Sequence, residues 1–137
     1  MTTFNLRISA IRRDFYTGPC ESVVFHTLDG MIGILANHEP TVFAITAGEL
    51  RFTVDGETQI LAVGDGLARV AGDKVTILVD FAELASEIDE IRAKDAVERA
   101  EAVIRAHEDA KAVANAEAAL SRAMARLKVV QHAGGKR

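Results

Sequence analysis

The sequence predicts an α+β fold, in which an N-terminal antiparallel β-sandwich of about ten strands is followed by a C-terminal antiparallel two-helix hairpin. We place the β-sandwich domain at residues 1–84 and the helical hairpin domain at residues 85–137. Turn-forming residue pairs recur about every 8–12 residues through the first eighty positions, which is typical of sandwiches and barrels. Residues 87–131, in contrast, contain no glycine or proline and are rich in alanine, glutamate and arginine, a helix-forming composition.

The turns of the first domain are marked by pairs of aspartate and glycine. Asp29-Gly30 separates "ESVVFHTL" from "MIGIL", and Asp55-Gly56 separates "ELRFTV" from "ETQILAV". We expect tight hairpin turns of type I′ at both pairs, with positive φ at their two central residues. Further reversals are expected at residues 64–66 (Gly-Asp-Gly) and 72–73 (Gly-Asp).

The strand around residues 49–54 shows a clear alternation of apolar and polar side chains. Because successive side chains of a strand point to opposite faces, the apolar set is expected to point into the core. The apolar set is Leu50, Phe52 and Val54, and the polar set is Glu49, Arg51 and Thr53.

Two apolar stripes at helical spacing predict the hairpin. Ser86 is expected to cap the first helix, with Asp89 as the reciprocal capping acid. The chain is expected to reverse at residues 107–111, and residues 132–137 are expected to form a frayed tail. The first stripe consists of Ala93, Val97, Ala100 and Ile104, and the second of Val113, Ala116, Leu120, Ala123, Leu127 and Val130.

Composition and charge exclude several classes of protein. The formal net charge of −4 and the pI near 5.5 argue against nucleic acid or an anionic membrane as the main partner. The single cysteine suits a reducing compartment, and no apolar run approaches the roughly 20 residues that span a bilayer. The first fifteen residues alternate too regularly for a signal or transit peptide. We therefore expect a soluble intracellular protein.

The sequence offers little to a catalytic or metal site. It contains no GxxxxGK[ST] phosphate loop and no GxSxG elbow, and its four histidines lack the spacing of zinc ligands. Cys20 follows Gly18-Pro19 in an expected turn and is expected to be inert, because nothing nearby in sequence lowers its pKa. We expect a non-catalytic protein without a metal.

The charges of the first helix have two possible interpretations. Three acid–base pairs at i,i+4 spacing would stabilise an exposed helix by about 0.3–0.5 kcal/mol each, without any ligand. However, Arg92 and Arg99 lie within roughly 20° of each other on the helix, and Arg122 and Arg126 flank the second stripe. These four arginines could converge on a polyphosphate. The three pairs are Glu90–Lys94, Asp95–Arg99 and Glu101–Arg105.

His38 lies in "GILANHEP", just before Pro40. It belongs either to a polar loop that ends a strand, with Glu39 held extended by the proline, or to a contact loop at one end of the sandwich.

Three segments carry a resemblance to a known family over essentially the whole chain. They are "GMIGILANHEPTVFAITAGELRF", "IDEIRAKDAVERAE" and "ALSRAMARLKVV". In order and spacing the sequence resembles the epsilon subunit of bacterial F-type ATP synthases, which is called delta in mitochondria. It departs from the family at Ala36-Asn37, where a proline-glycine pair is usual, and at Glu39, which replaces a small residue.

The resemblance implies a non-catalytic subunit of the central stalk of the rotary motor. Its sandwich would bind the gamma subunit and rest on the membrane ring of c subunits, with His38 in the loop at the ring end. Its hairpin would switch between a folded state and an extended state that meets the catalytic alpha and beta subunits and blocks ATP hydrolysis. The protein would then be peripheral, at the cytoplasmic face of the bacterial plasma membrane.

The resemblance also implies a regulatory ligand, although no cofactor is required. Some bacterial members bind ATP through an Ile/Leu-Asp-x-x-Arg-Ala motif, which here begins at Ile88, and through further charged residues. Under this hypothesis the arginines hold the phosphates, while Glu83 and Asp89 order the loop and the adenine end. Two alternatives are a purely mechanical coupling subunit without a ligand, and a free-standing binding module or enzyme. The full set implied is Glu83, Ile88, Asp89, Arg92, Arg99, Arg122 and Arg126.

Overall fold

The computed structural model describes residues 2–135, which form two packed sheets followed by two long helices. A 3₁₀ turn at Ala85–Glu87 links the last strand to the first helix, and the two helices are α1 (Glu90–Ala106) and α2 (Ala110–Gly135). The ten strands are β1 (Phe4–Ala10), β2 (Arg13–Cys20), β3 (Ser22–Thr27), β4 (Gly30–Leu35), β5 (Thr41–Ile45), β6 (Gly48–Val54), β7 (Glu57–Val63), β8 (Gly66–Ala71), β9 (Lys74–Val79) and β10 (Ala82–Leu84).

The strands form two five-stranded sheets. The first sheet has the order β2-β1-β9-β8-β5, and the second has the order β10-β7-β6-β3-β4. Every neighbouring pair is antiparallel except β1 and β9, which are parallel. This arrangement confirms the predicted α+β class and the antiparallel β-sandwich, with one parallel pair that the turn pattern did not indicate.

The core lies between the two sheets. Phe25 and Phe52 are its largest fully buried side chains, and Leu6, Leu61 and Ile77 lie among them. Leu50 and Phe52 point inward, as the alternation of β6 predicted, and Val54 packs against the same core. Burying a side chain of this size stabilises the fold by about 1.5–3 kcal/mol, so this layer holds the sandwich together.

The predicted turns are present, but only one has the predicted geometry. Asp55 and Gly56 have φ of 51° and 79°, as a type I′ hairpin requires. The type I′ prediction at Asp29-Gly30 is wrong, because Thr27 pairs with Gly30 and the central residues are therefore Leu28 and Asp29. Residues 64–65 carry the chain from one sheet to the other, whereas residues 72–73 close the β8–β9 hairpin.

Two local predictions about caps and turns are also wrong. The N-cap of α1 is Asp89, whose Oδ1 accepts from the backbone N of Arg92 at 3.0 Å, while Ser86 lies in the preceding 3₁₀ turn. A carboxylate adjacent to the helix start caps it better than a serine four residues away. Cys20 is the buried last residue of β2 rather than a turn residue, and burial raises the pKa of its thiol.

The helices pack in series on the second sheet. α1 contacts α2, and α2 contacts β6 and β7, so α2 lies between α1 and the sandwich. The seam between the helices buries Ala93, Ala100, Ala116 and Ala123, which confirms the alanine positions of both predicted stripes. The chain reverses at residues 107–109, where His107 adopts a left-handed conformation with φ of 54°.

α2 also carries a second buried face that the sequence analysis did not predict. Ala125 and Val129 are buried although neither belongs to the predicted stripe. The expectation of a frayed tail from residue 132 is wrong, because α2 continues to Gly135 and His132 bonds to Glu49 at 2.7 Å. Lys136 and Arg137, which fall in that expected tail, lie outside the described residues.

Neither α1 nor α2, nor any shorter helix within residues 2–135, has the length and apolar character needed to cross a bilayer.

Candidate functional site

A cleft of about 340 Å³ opens where the linker, residues 85–89 between β10 and α1, meets the two helices. We call it the hinge cleft. Six of the seven ligand residues implied by the family resemblance line it, and Arg122 is the exception. Its lining residues are Glu83, Glu87, Ile88, Asp89, Arg92, Ala93, Ala96, Arg99, Ala123 and Arg126.

α1 and its N-cap place three of these residues, Asp89, Arg92 and Arg99. Asp89 is fixed as the N-cap by its bond from the backbone of Arg92. Arg99 follows Arg92 by seven residues, about two helical turns, so both guanidinium groups lie on the side of α1 that lines the cleft. Ala93, Ala96 and Ala123 also line the cleft, and their small side chains leave space between the helices.

Arg92 and Arg99 are exposed, and within residues 2–135 neither makes an ion pair to a carboxylate. Arg99 instead donates from Nε to the backbone carbonyl of Asp95 at 3.4 Å. Of the three predicted i,i+4 pairs, only Glu90–Lys94 forms in the described chain, with 3.6 Å between Nζ and Oε2. Two cationic groups therefore face the cleft with donors available for an anion.

Arg126, from α2, enters the cleft in a fixed orientation. Its Nε and Nη2 donate to Oε1 and Oε2 of Glu83 at 2.8 and 3.1 Å, a bidentate pair across the domain boundary. Its Cζ lies 4.1 Å from the centre of the Phe81 ring, within cation–π range. An anion that binds Arg126 must therefore share the guanidinium with Glu83 or displace it.

Arg122 lines a neighbouring cleft of about 620 Å³ instead. This second cleft lies between the β1–β2 turn and α2, and Phe81 and Arg12 also line it. Arg126, Glu83 and Glu87 line both clefts, so the two adjoin. Arg122 is thus near the predicted site but on the far side of Arg126 from Arg92 and Arg99.

Arg13 is a residue of this region that the sequence analysis missed. Its Nη1 and Nη2 donate to the two carboxylate oxygens of Glu87 at 3.0 and 2.8 Å, and Nη2 also donates to the carbonyl of Ala82. The bonds from Arg13 and from the backbone N of Leu84 lower the pKa of Glu87. Arg13 and Glu87 are 74 positions apart, so no sequence signal indicates this contact, which ties the linker to β2.

His38 lies in the loop that carries the chain from β4 in the second sheet to β5 in the first. Its Nδ1 donates to the carbonyl of Glu39 at 2.8 Å, and its ring meets Phe43 edge-on with 5.9 Å between centroids. The side chain is half-buried and lines neither cleft.

The outer face of the first sheet presents an exposed apolar row that the sequence analysis also missed. Val42, Leu67 and Leu78 are 65%, 41% and 44% exposed. Leu67 pairs directly with Leu78 on β9 and with Ala44 on β5, so the row continues across neighbouring strands. Contiguous apolar surface of this kind marks interaction sites.

Comparison with known protein families gives two adjacent matches that together cover nearly the whole chain. Residues 3–85 match the β-sandwich domain of the ATP synthase delta/epsilon chain. Residues 86–131 match the long α-helix domain of the same chain.

Full-length relatives agree with these matches. The chain is 42% identical over 127 residues to the ATP synthase epsilon chain of Ruminiclostridium cellulolyticum, covering 93% of this chain and 95% of the relative. It is 37% identical to the ATP synthase epsilon chain of Neisseria meningitidis and 40% identical to that of Caldicellulosiruptor bescii, covering 96% of both chains in each comparison.

Two solved structures share the fold. A chain of the Euglena gracilis mitochondrial ATP synthase OSCP/F1/c-ring structure superposes with a TM-score of 0.81 at 24% identity, over 97% of this chain and 82% of that one. A chain of the Tetrahymena thermophila mitochondrial ATP synthase central stalk/c-ring structure superposes with a TM-score of 0.60 at 11% identity, over 92% and 95%.

Proposed function

The chain belongs to the ATP synthase delta/epsilon family, and from this premise we propose that it is a non-catalytic central-stalk subunit of a proton-translocating F-type ATP synthase. In this role it couples the catalytic head to the membrane ring, and it lies at the cytoplasmic face of the bacterial plasma membrane as a peripheral part of the complex. The two halves of the chain then have different tasks, because one is a rigid sandwich and the other is a hairpin docked on its side.

The sandwich is the fixed part of the proposed subunit. The exposed row of Val42, Leu67 and Leu78 supports a docking face for the gamma subunit, since the helices leave this sheet uncovered. The loop that contains His38 joins the two sheets at one end of the sandwich. We propose that this loop contacts the c subunits of the ring. Co-expression with the gamma subunit tests this part, and a chain that fails to co-purify with gamma would instead be a free-standing module.

The hairpin is the mobile part of the proposed subunit. In the docked state α2 packs on the second sheet and α1 packs on α2, through seams built largely from alanine. Small side chains bury little apolar area, so the docked state is only modestly favoured over release. Extended, the charged hairpin would contact the catalytic alpha and beta subunits and inhibit ATP hydrolysis.

The hinge cleft is proposed to bind ATP in the docked state, as a regulatory ligand. The observation that carries this proposal is the convergence of Arg92, Arg99 and Arg126, from two helices, on one cleft beside the N-terminus of α1. Glu83 and Asp89 lie at the same cleft, where they are proposed to order the loop and the adenine end. Because only the docked hairpin assembles this cleft, ATP stabilises docking by mass action and relieves inhibition.

A purely mechanical subunit without a ligand is the second candidate. It is favoured by the bond from Arg126 to Glu83 and by the charge balance of the cleft, which has three carboxylates, Glu83, Glu87 and Asp89, against its three arginines. In that case Arg92 and Arg99 serve contacts with protein partners only.

Thermal unfolding of the isolated protein with ATP, and with GTP as the control nucleotide, separates the two candidates. At ATP about ten times its Kd, we expect unfolding to shift upward by roughly 5 °C. Arg92→Ala should abolish the shift, whereas Lys94→Ala should keep it, because Lys94 is exposed on the same helix but does not line the cleft. Equal curves with and without ATP would leave the mechanical subunit as the answer.

A further inference from the structure

Among residues 2–135, Glu49 is the one buried polar or charged side chain, with 1% of its surface exposed. It lies on the face of β6 opposite the sandwich core, beneath α2. Arg51 donates to its Oε2 from Nε at 2.8 Å, and His132 of α2 donates from Nδ1 to its Oε1 at 2.7 Å. Burial raises the pKa of Glu49, but the bonds from Arg51 and His132 outweigh that effect and hold the pKa below its ordinary value. The carboxylate is therefore charged and fully bonded.

The register of the second sheet places Glu49 opposite Ala62 on β7, and Ala62 opposite Glu83 on β10. Residues directly opposite on neighbouring strands share a face, so the two carboxylates flank a buried alanine in one row. On α2, residues 126, 129 and 132 repeat at three-residue spacing along one side. Arg126 bonds to Glu83, His132 bonds to Glu49, and Val129 between them is fully buried.

The two ends of this row differ in what can disturb them. The Glu83–Arg126 pair lies in the hinge cleft, with side chains 28% and 30% exposed, so an anion in the cleft competes for it. Glu49 is buried, and neither it nor His132 lines the hinge cleft. Arg51 lies on β6 beside Glu49, so their contact persists when the hairpin is released from the sandwich. His132 lies on α2, so its contact with Glu49 is lost on release.

We propose that Glu49, Arg51 and His132 form a latch that holds the C-terminal part of α2 on the sandwich and sets how much of the hairpin is docked when no nucleotide is bound. The inference rests on the proposed mobility of the hairpin. Glu49 and Arg51 are the part of the latch on β6, and His132 is the part that α2 contributes. Two other titratable groups face this region, His26 of β3 and Lys128 of α2. Burial and the nearby Lys128 lower the pKa of His26, which favours its neutral form.

Amide hydrogen exchange of the full chain without nucleotide tests the latch. In the His132→Ala variant we expect exchange in residues 110–133 to accelerate about tenfold or more, since a charge-assisted bond is lost and a buried carboxylate loses a donor. Peptides from β1 and β9 should keep their wild-type rates. The matched control is Gln131→Ala, one position earlier on α2 and exposed, which should stay within about twofold of the wild type.

A second variant separates the bond from general damage to the helix. Glu49→Gln keeps the shape of the side chain but removes its charge, and it should accelerate the same α2 peptides. Combined with His132→Ala it should add little, because both changes remove one interaction.

The outcomes distinguish the latch from the proposed function on which it rests. If α2 exchanges faster than β1 and β9 but His132→Ala behaves like Gln131→Ala, the hairpin is mobile and the latch is wrong. If α2 of the wild type exchanges no faster than β1 and β9, the hairpin opens only with the whole fold, and both the switch and its latch are overturned.

Discussion

The two sheets of the sandwich share one core but differ in their outer faces. The second sheet is covered by α2, and its outer face carries the buried Ala62 and Glu49. Within residues 2–135 neither long helix packs against the first sheet, and its outer face leaves Val42 and Leu67 exposed. One face is thus completed by the chain's own hairpin, while the other stays exposed and is the face on which we propose that gamma docks. A substitution on the covered face should therefore act within the isolated protein, and one on the open face should act only in the complex.

The largest effect is expected from a charge placed beneath α2. Val129→Asp puts an unpaired carboxylate at a fully buried position, which costs about 3–5 kcal/mol in the docked state and should release the hairpin. Val42→Asp, at an exposed position of the first sheet, should leave the free energy of unfolding within about 0.5 kcal/mol of the wild-type value. Under the proposed function it should also abolish binding to gamma. Chemical denaturation and limited proteolysis of both variants measure the contrast. If the hairpin of Val129→Asp resists proteolysis as well as that of the wild type, burial of Val129 is not needed to dock α2 on the second sheet.

A smaller effect is expected from added volume at matched alanines. Ala62→Leu overpacks the contact between β7 and α2 and should destabilise docking by about 1–3 kcal/mol. Ala44→Leu adds the same atoms to the open face, where Ala44 is exposed, and should change stability by less than about 0.5 kcal/mol. Equal unfolding curves for the two variants would mean that the covered face of the second sheet is no more tightly packed than the exposed face of the first.

The smallest effect is expected from acidification. The pKa of Glu49 is lowered in the folded protein, so its bonds to Arg51 and His132 contribute stability above the ordinary glutamate pKa of about 4.3. That contribution is lost as the pH falls through the lower folded pKa of Glu49. Glu87 and Asp14, whose pKa values are also lowered, contribute in the same direction. Measuring the free energy of unfolding of the wild type and of Glu49→Gln across acidic pH isolates the part of the pH dependence that comes from Glu49. Identical pH profiles would assign the whole pH dependence to the other groups.

The elements that the sequence predicted correctly depend on local patterns. Alternation in β6 identified Leu50 and Phe52 as core residues, and the alanine stripes identified the seam between the helices. The hinge cleft was also anticipated, because its arginines follow from helical spacing together with the family resemblance. Two of the errors were decided by residues close in sequence. Asp89, not Ser86, caps α1, and the turn before Gly30 closes one residue earlier than the aspartate–glycine pair indicated.

The sequence by itself therefore determined the class of fold and the face of each strand and helix that carries apolar side chains, while the family resemblance pointed to most of the residues that line the cleft. Only the tertiary structure decided what lies against those faces. Glu49 alternates with core residues and so belongs to the outward side of β6, yet it is buried because α2 docks there. The bonds from Arg13 to Glu87 and from His132 to Glu49 join positions 74 and 83 residues apart. Periodicity shows that a face exists, but the partner of that face depends on how distant elements meet, and this is set by packing and charge across the whole molecule.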